Sequence, residues 1–340
     1  LADIWTNGLK KNLIMALASN TAVPVPNGWV LAKYLKKGDY VMGSSGKPVQ
    51  ITSIQTYTPR EMYEMVMHDG VYVVVDKHAK FPVDTSYDRI NEANLKHQRK
   101  RWHKQRYVTV EEMLEHGLLT KWNRKFYAIP NTQPIHFQSE DHPVPPFIVG
   151  MWATRRNKTN CYLVPAENLE YIRKEIKMVG WSTKLTGERE IEVRPSIATS
   201  FLTKYYTKPT ALPIEYTFGS VDQRIDLLRG LLSIKPGCYK EKYHRFELRS
   251  TDINFLITLQ GVCESLGIKT FVHSKEKCLS HLLIFKTNIK LVQNQKYQER
   301  MVNAGRRLVS KIEETPPIEC VHIETEEPFV VGQGFLPIWH

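Results

Sequence analysis

Peptide-bond chemistry needs a nucleophile and a way to move protons, and the end of this 340-residue sequence offers a thiol and an imidazole, Cys320 and His340. Cys320 stands in a run where Ile318, Cys320, His322 and Glu324 alternate with Glu319, Val321, Ile323 and Thr325, a pattern that predicts a strand. Glycines 332 and 334 mark a return into a second apolar run that ends at Trp339 and His340. One thiol, a glycine-marked turn and a terminal imidazole fit a self-processing terminus. The same residues also fit a closing hairpin with a buried cysteine.

A second chemistry is carried by the basic stretch near 92–108. Lys96, Arg99, Lys100, Arg101, Lys104 and Arg106 are interleaved there with His97, Trp102, His103 and Tyr107. Cations beside stackable rings suit phosphate contacts and base stacking, whereas a solvated helix or loop face is the plainer account. The net charge of +12 points the same way, toward a polyanionic partner, and nucleic acid is the simplest.

Hydrophobic and charged fractions of 42% and 24% are those of a globular chain with room for two domains. Five irregularly spaced cysteines without a CxxC pair argue against a zinc site or a disulfide framework. No uncharged apolar run reaches the ~18 residues of a membrane span. With no secretory signal, the expected location is cytoplasmic. A start at Leu1 rather than Met suggests a fragment or a processed product.

The elements that must position these groups fall into three tracts. Residues 1–17 have helically spaced apolar positions, as in a first helix or a flank belonging to another protein. From Ala18 to about residue 85, Pro24, Pro26, Asn27-Gly28, Gly38-Asp39 and Gly43 to Gly46 break the chain into short β segments. A hairpin turns at Asp69-Gly70, and His78 follows its second strand, Val71–Val75. The acidic, proline-rich stretch from Gln138 to Pro146 reads as a domain joint, after which the pattern becomes mixed α/β.

Two short helices stand out beyond the joint. One starts after Pro145-Pro146; the other is capped by Ser220 and stopped at Pro236-Gly237. Each has a glycine at its centre, Gly150 and Gly230. Interior glycine costs ~1 kcal/mol against alanine, so both predict close backbone contact. Their separation of about eighty residues suggests a weak internal repeat with pseudo-twofold character.

Together these residues resemble an intein carrying a LAGLIDADG homing-endonuclease domain, over nearly everything after about Ala16. TAVPVPNGW with LKKGDYV is similar to the first splicing block, and VYVVVDKHAKFPV to the second, with His78 as its signature histidine. VTVEEMLEHGLLTKWNRKFYAIPNTQPIHF is similar to the connector before the endonuclease. VPPFIVGMWATRRN and DQRIDLLRGLLSIKPG sit where the paired LAGLIDADG helices belong. Glu319–Pro328 and Val330–His340 are similar to the last two splicing blocks.

The resemblance implies a multi-domain chain: an all-β, horseshoe-like Hint splicing domain, discontinuous in sequence, with an α/β endonuclease-like domain of two pseudo-symmetric halves inserted. The expected boundaries are a flank at 1–15, Hint segments at 16–139 and 309–340, and the insert at 140–308. The variety implied is a phage type without a first-residue nucleophile, since that position falls near Ala16. Cys320 would then attack the upstream scissile carbonyl, and His78 would protonate the leaving nitrogen. Neighbouring positive charge or a base would be needed to raise the thiolate fraction. Partners implied are a host protein in cis, such as a phage ATPase, and double-stranded DNA, with the chain itself a monomer.

Several positions depart from the family pattern. Phe81 stands, displaced by one residue, where that variety has Trp. Ile338, Trp339 and His340 replace Thr, His and Asn, unless one insertion makes His340 the penultimate histidine. Where each endonuclease helix should supply a metal-binding acid, the chain has Arg155 and Lys235. Two cations in place of two carboxylates invert the local charge, so the expectation is no bound Mg²⁺, no cofactor and no DNA cleavage. DNA affinity could outlast that loss. A domesticated nucleic-acid-binding or structural protein lacking both activities is the alternative.

Overall fold

The computed structural model describes residues 16–94, 106–155, 161–194, 212–235, 237–274, 280–296, 305–332 and 334–339. Short, β-branched and aromatic-rich runs separated by glycine turns form strands from the start of that range. These are Leu17–Ala18 (β1), Ala22–Val25 (β2), Gly28–Leu31 (β3), Tyr40–Met42 (β4) and Pro48–Tyr57 (β5). Met62–Met67 (β6) and Tyr72–Asp76 (β7) form the predicted hairpin; Gly70 turns it at φ +87°, which a side chain would resist. Lys80–Thr85 (β8), the helix Ser86–Asn94 (α1), Arg106–Thr109 (β9), the helix Val110–His116 (α2) and Tyr127–Pro130 (β10) follow.

The α/β tract contains helices Pro146–Arg155 (α3), Leu169–Met178 (α4), Val221–Ile234 (α5) and Ile253–Ser265 (α6). Its strands are Cys161–Leu163 (β11), Ser182–Leu185 (β12), Glu190–Arg194 (β13), Tyr239–Lys240 (β14), Arg245–Ser250 (β15), Thr270–His273 (β16) and His281–Phe285 (β17). The chain then returns to β structure with Arg306–Thr315 (β18), Cys320–Thr325 (β19), Phe329–Val331 (β20) and Leu336–Ile338 (β21).

Sequence-distant strands build one large sheet. Among the described residues ten strands run in the order β4-β5-β19-β1-β7-β6-β18-β10-β8-β9, so strands from both ends of the chain alternate within it. The strand β19 is wedged between β5 and β1, and β18 between β6 and β10. Five of its six residues are buried. The predicted strand is thus central in the sheet and covered on both faces.

The tract between β10 and β18 leaves and re-enters at one point, because Pro130 lies opposite Arg306 in register. It has a core of its own, from Val144 to Val292, centred on α3 and α5. The β strands share another, which draws on both Leu17–Ile129 and Val309–Ile338. A discontinuous all-β unit with an inserted α/β unit is thus the observed architecture. In the insert, α3 and α5 are each followed by a small antiparallel sheet, β11-β13-β12 and β14-β15-β17-β16.

The paired helices meet at their glycines, as the sequence predicts. A Cβ on Gly150 would run into the carbonyl oxygen of Leu227 and sit 2.8 Å from the amide nitrogen of Leu231. One on Gly230 would run into the carbonyl of Phe147. Phe147 and Leu227, like Gly150 and Gly230, are offset by about eighty residues, so the two contacts are pseudo-twofold equivalents. The second helix starts at a capping box in which Ser220 and Gln223 satisfy each other's backbone amides.

Candidate active site at the meeting of the chain ends

Antiparallel register decides which side chains share a face, and here it gathers one small group. Cys320 lies opposite Tyr57 on one side and Ala18 on the other, and Met62 lies opposite Asp76. Directly opposed residues project to the same face of a sheet. Leu17, Val75 and Val321 take the other face and enter the main β core. Cys320, Met62, Ala16 and Ala18 form a separate buried cluster, flanked by Tyr57 and Val74.

The Cys320 thiol is fully buried; its Sγ is 3.4 Å from the Met62 sulfur and 3.3 Å from the carbonyl oxygen of Ile318. Burial, and then the negative charges of Asp76 and Glu319, push the thiol up to about 12. Positive charge or a base is expected to raise the thiolate fraction, and the charged groups that act on the thiol are not cations. A carboxyl is there instead.

That carboxyl, Asp76, is 2% exposed and closes the end of β7. Tyr57 donates its hydroxyl to Oδ2 at 3.2 Å and the backbone amide of His78 donates to Oδ1 at 3.1 Å. The Asp76 amide donates to the Ala16 carbonyl at 3.0 Å. Burial raises Asp76 above the ordinary carboxylate range despite these donors. Tyr57 is raised too, by burial and by Asp76.

His78 follows in the turn that leads to β8. Its Nδ1 is 3.8 Å from Glu111 Oε2, in the first turn of α2. That helix is docked by amide bonds from Val110 and Glu111 to the carbonyls of Ala79 and Lys77, and capped by a Thr109–Glu112 box. The C-terminal hairpin β20–β21 brings the chain back beside this turn, where the Trp339 amide donates to the Lys80 carbonyl at 2.8 Å. The Trp339 ring lies 5.1 Å from that of Tyr107. Phe81 is fully buried in the β core. His340 lies outside the described residues.

The other sequence-derived positions are elsewhere. Arg155 ends α3 and Lys235 caps the C-terminus of α5, so both occupy the same end of the paired helices. Lys235 Nζ donates to the Arg249 carbonyl at 2.7 Å, and burial lowers its pKa. A desolvated ammonium already bound to a backbone oxygen is a poor replacement for a metal-binding acid. No cluster of His, Cys, Asp and Glu suited to a metal ion occurs among the described residues. Arg106 is exposed on the edge strand β9, remote in sheet order from β19, while Lys96, Arg99, Lys100, Arg101 and Lys104 fall outside the described residues.

Tyr57, Asp76 and Glu111 are functional candidates that sequence reasoning missed. Asp76 lies two residues before the signature histidine, a signal available in the sequence. Tyr57 has none, because it joins the site only through its register with Cys320.

No family model matches the chain. It is 22% identical over 330 residues to a replicative DNA helicase DnaB of Mycobacterium intracellulare, covering 91% of this chain and 55% of that one. The chain thus spans about half the length of the curated relative it matches. Among solved structures it is similar to the Msm DnaB1 intein splicing domain bound with zinc, at 28% identity and TM-score 0.20, covering 20% of this chain and 54% of that one. The gp41-1 intein is similar at 17% identity and TM-score 0.23, over 33% and 73%. Mesophilic variants of the homing endonuclease I-DmoI are similar at 14% identity and TM-score 0.24, over 50% and 78%. Overlaps this small leave the functional reading to rest on the chain's own geometry.

Proposed function

We propose that this chain is an intein-type protein-splicing element, with Cys320 as its nucleophile and a LAGLIDADG endonuclease-like insert that no longer cuts DNA. One observation carries the reading: β1, at the start of the described chain, pairs with β19 so that a buried thiol lies beside Ala16 and Ala18. The C-terminal hairpin closes against Lys80, two residues past His78. A self-processing element must bring both of its junctions to one nucleophile, and a sheet that interleaves first and last strands does so.

In this reading residues 1–15 are host-protein flank, 16–139 and 309–340 form the splicing domain, and 140–308 form the insert. The Cys320 sulfur attacks the carbonyl carbon preceding Ala16, a thioester forms, and the bond to the Ala16 nitrogen breaks. His78, steered by Glu111, protonates the departing nitrogen. Arg155 and Lys235 stand at the sequence positions where metal-binding acids would be needed, which supports an inactive nuclease. DNA is the polyanion the +12 charge suits, and the host is a protein of the ATPase kind.

The test is intact mass spectrometry of the full chain between its native flanks, beside Cys320→Ala. Spliced or N-terminally cleaved product that vanishes in the variant is expected, and the same protein should leave plasmid DNA with Mg²⁺ uncut. Precursor that stays whole in both proteins would overturn the splicing reading in favour of a domesticated binding protein.

A further inference from the structure

We infer that Asp76 is the proton acceptor for the Cys320 thiol and the anchor of the bond that thiol attacks, with Tyr57 holding its carboxyl in place. The inference rests on the reading of Cys320 as nucleophile and adds the group that reading lacks. A buried thiol beside negative charge supplies almost no thiolate at neutral pH by free ionisation, so its proton must leave during attack. Among the described residues, Asp76 is the carboxyl that register and hydrogen bonding bring to this face of the sheet.

Three contacts define the role. The Tyr57 hydroxyl comes from the residue opposite Cys320, which ties the carboxyl to the thiol side of the site. The Asp76 amide donates to the carbonyl of Ala16, the residue whose nitrogen belongs to the bond proposed to break, which ties Asp76 to the nitrogen side. The His78 amide fixes the turn that carries the proposed acid. The groups facing Asp76 are therefore Tyr57 on β5, Met62 on β6, His78 in its own turn, Ala16 beyond β1 and Cys320 on β19. Lys77, the adjacent cation, is engaged by Glu61 and Glu111 instead.

The step balances without a co-reactant. The thiol proton passes to an Asp76 oxygen as the sulfur–carbon bond forms. The carbon–nitrogen bond then breaks, and the proton of the His78 imidazolium goes to the Ala16 nitrogen, leaving a thioester and a free amine. Nothing is oxidised or reduced. Burial raises Asp76, so its base form persists only above the range of an ordinary carboxylate, and a raised pKa makes it a stronger acceptor.

The experiment uses the full chain between its native flanks and follows N-terminal cleavage by intact mass at a series of pH values. In the parent, the rate is expected to rise with pH through the raised Asp76 pKa. Asp76→Asn should slow cleavage by ~10²–10⁴-fold and abolish that ascending limb while circular dichroism stays native. Asp76→Glu should restore part of the rate. Tyr57→Phe, a milder change should Asp76→Asn misfold, should slow cleavage and move the limb. Asp76→Asn cleaving at the parent rate with the parent pH profile, while Cys320→Ala is inert, would overturn this inference and leave the nucleophile standing. Cleavage that survives Cys320→Ala, or a parent that never cleaves, would overturn both.

Discussion

At the scale of single residues, the site combines two groups that burial makes reluctant to ionise. Neither Cys320 nor Asp76 would be chosen for stability, since a buried carboxyl costs free energy once charged. Because folding raises the Asp76 pKa, its contribution to stability is fullest below the unfolded value of ~3.9 and declines as pH rises through the folded one. Asp76→Asn is nearly isosteric and removes that cost. Its Tm, compared with the parent's by calorimetry, should gain progressively from acidic to neutral pH; a loss that stays constant with pH would mean the Asp76 hydrogen bonds outweigh the burial cost. The sequence exposed Cys320 and His78 through their positions in recognisable runs. Asp76 and Tyr57 stayed hidden because nothing local ties residue 57 to residue 320 until their strands pair.

Among the elements, the paired helices α3 and α5 were the most legible. A glycine in mid-helix is a cost that only close backbone approach explains, and here each glycine faces a carbonyl of the other helix. Gly150→Ala is expected to force those helices apart and destabilise the insert by ~1–3 kcal/mol, seen as a lower insert transition in thermal denaturation. Gly261 of α6, with open space around it, is the matched control: alanine there should be neutral or stabilising. The helix α4 was not legible. Its Asn168 N-cap makes no capping bond and instead donates to the Ser233 carbonyl at 2.8 Å, so the usual start signal is spent on tertiary contact.

For the whole molecule, the decisive contacts join the two units through buried charge. Arg307, at the start of β18, donates to Asp69 at 2.9 Å and to Asn131 at 3.3 Å within the β unit and its linker. Its Nη2 also lies 2.9 Å from Glu264 of α6, although off the axis of a hydrogen bond. Burial raises Glu264 even against that cation. Arg224 of α5 is fully buried as well, reaching the Gly219 and Ile135 carbonyls and the Ser265 hydroxyl, and burial lowers it to about 9. Removing Arg307 takes the ion-pair partner from two buried acids, Asp69 and Glu264. Arg307→Met should therefore cost ~3–5 kcal/mol in urea denaturation, and the triple change with Asp69→Asn and Glu264→Gln should recover much of it.

The sequence by itself determined the local alphabet of this protein: turns where glycine and proline forbid regular structure, caps where hydroxyls precede apolar runs, and helix pairs where glycine lies mid-helix. It also placed Arg155 and Lys235 at equivalent ends of the paired helices, because those positions are counted from a glycine within one element. Tertiary structure decided what is long-range. It set β19 between β5 and β1, gave Cys320 a carboxyl rather than a cation, and linked Arg307 to Glu264 across two units. Propensity and periodicity act over a few residues, whereas register between residue 57 and residue 320 depends on which faces of distant strands can be buried together.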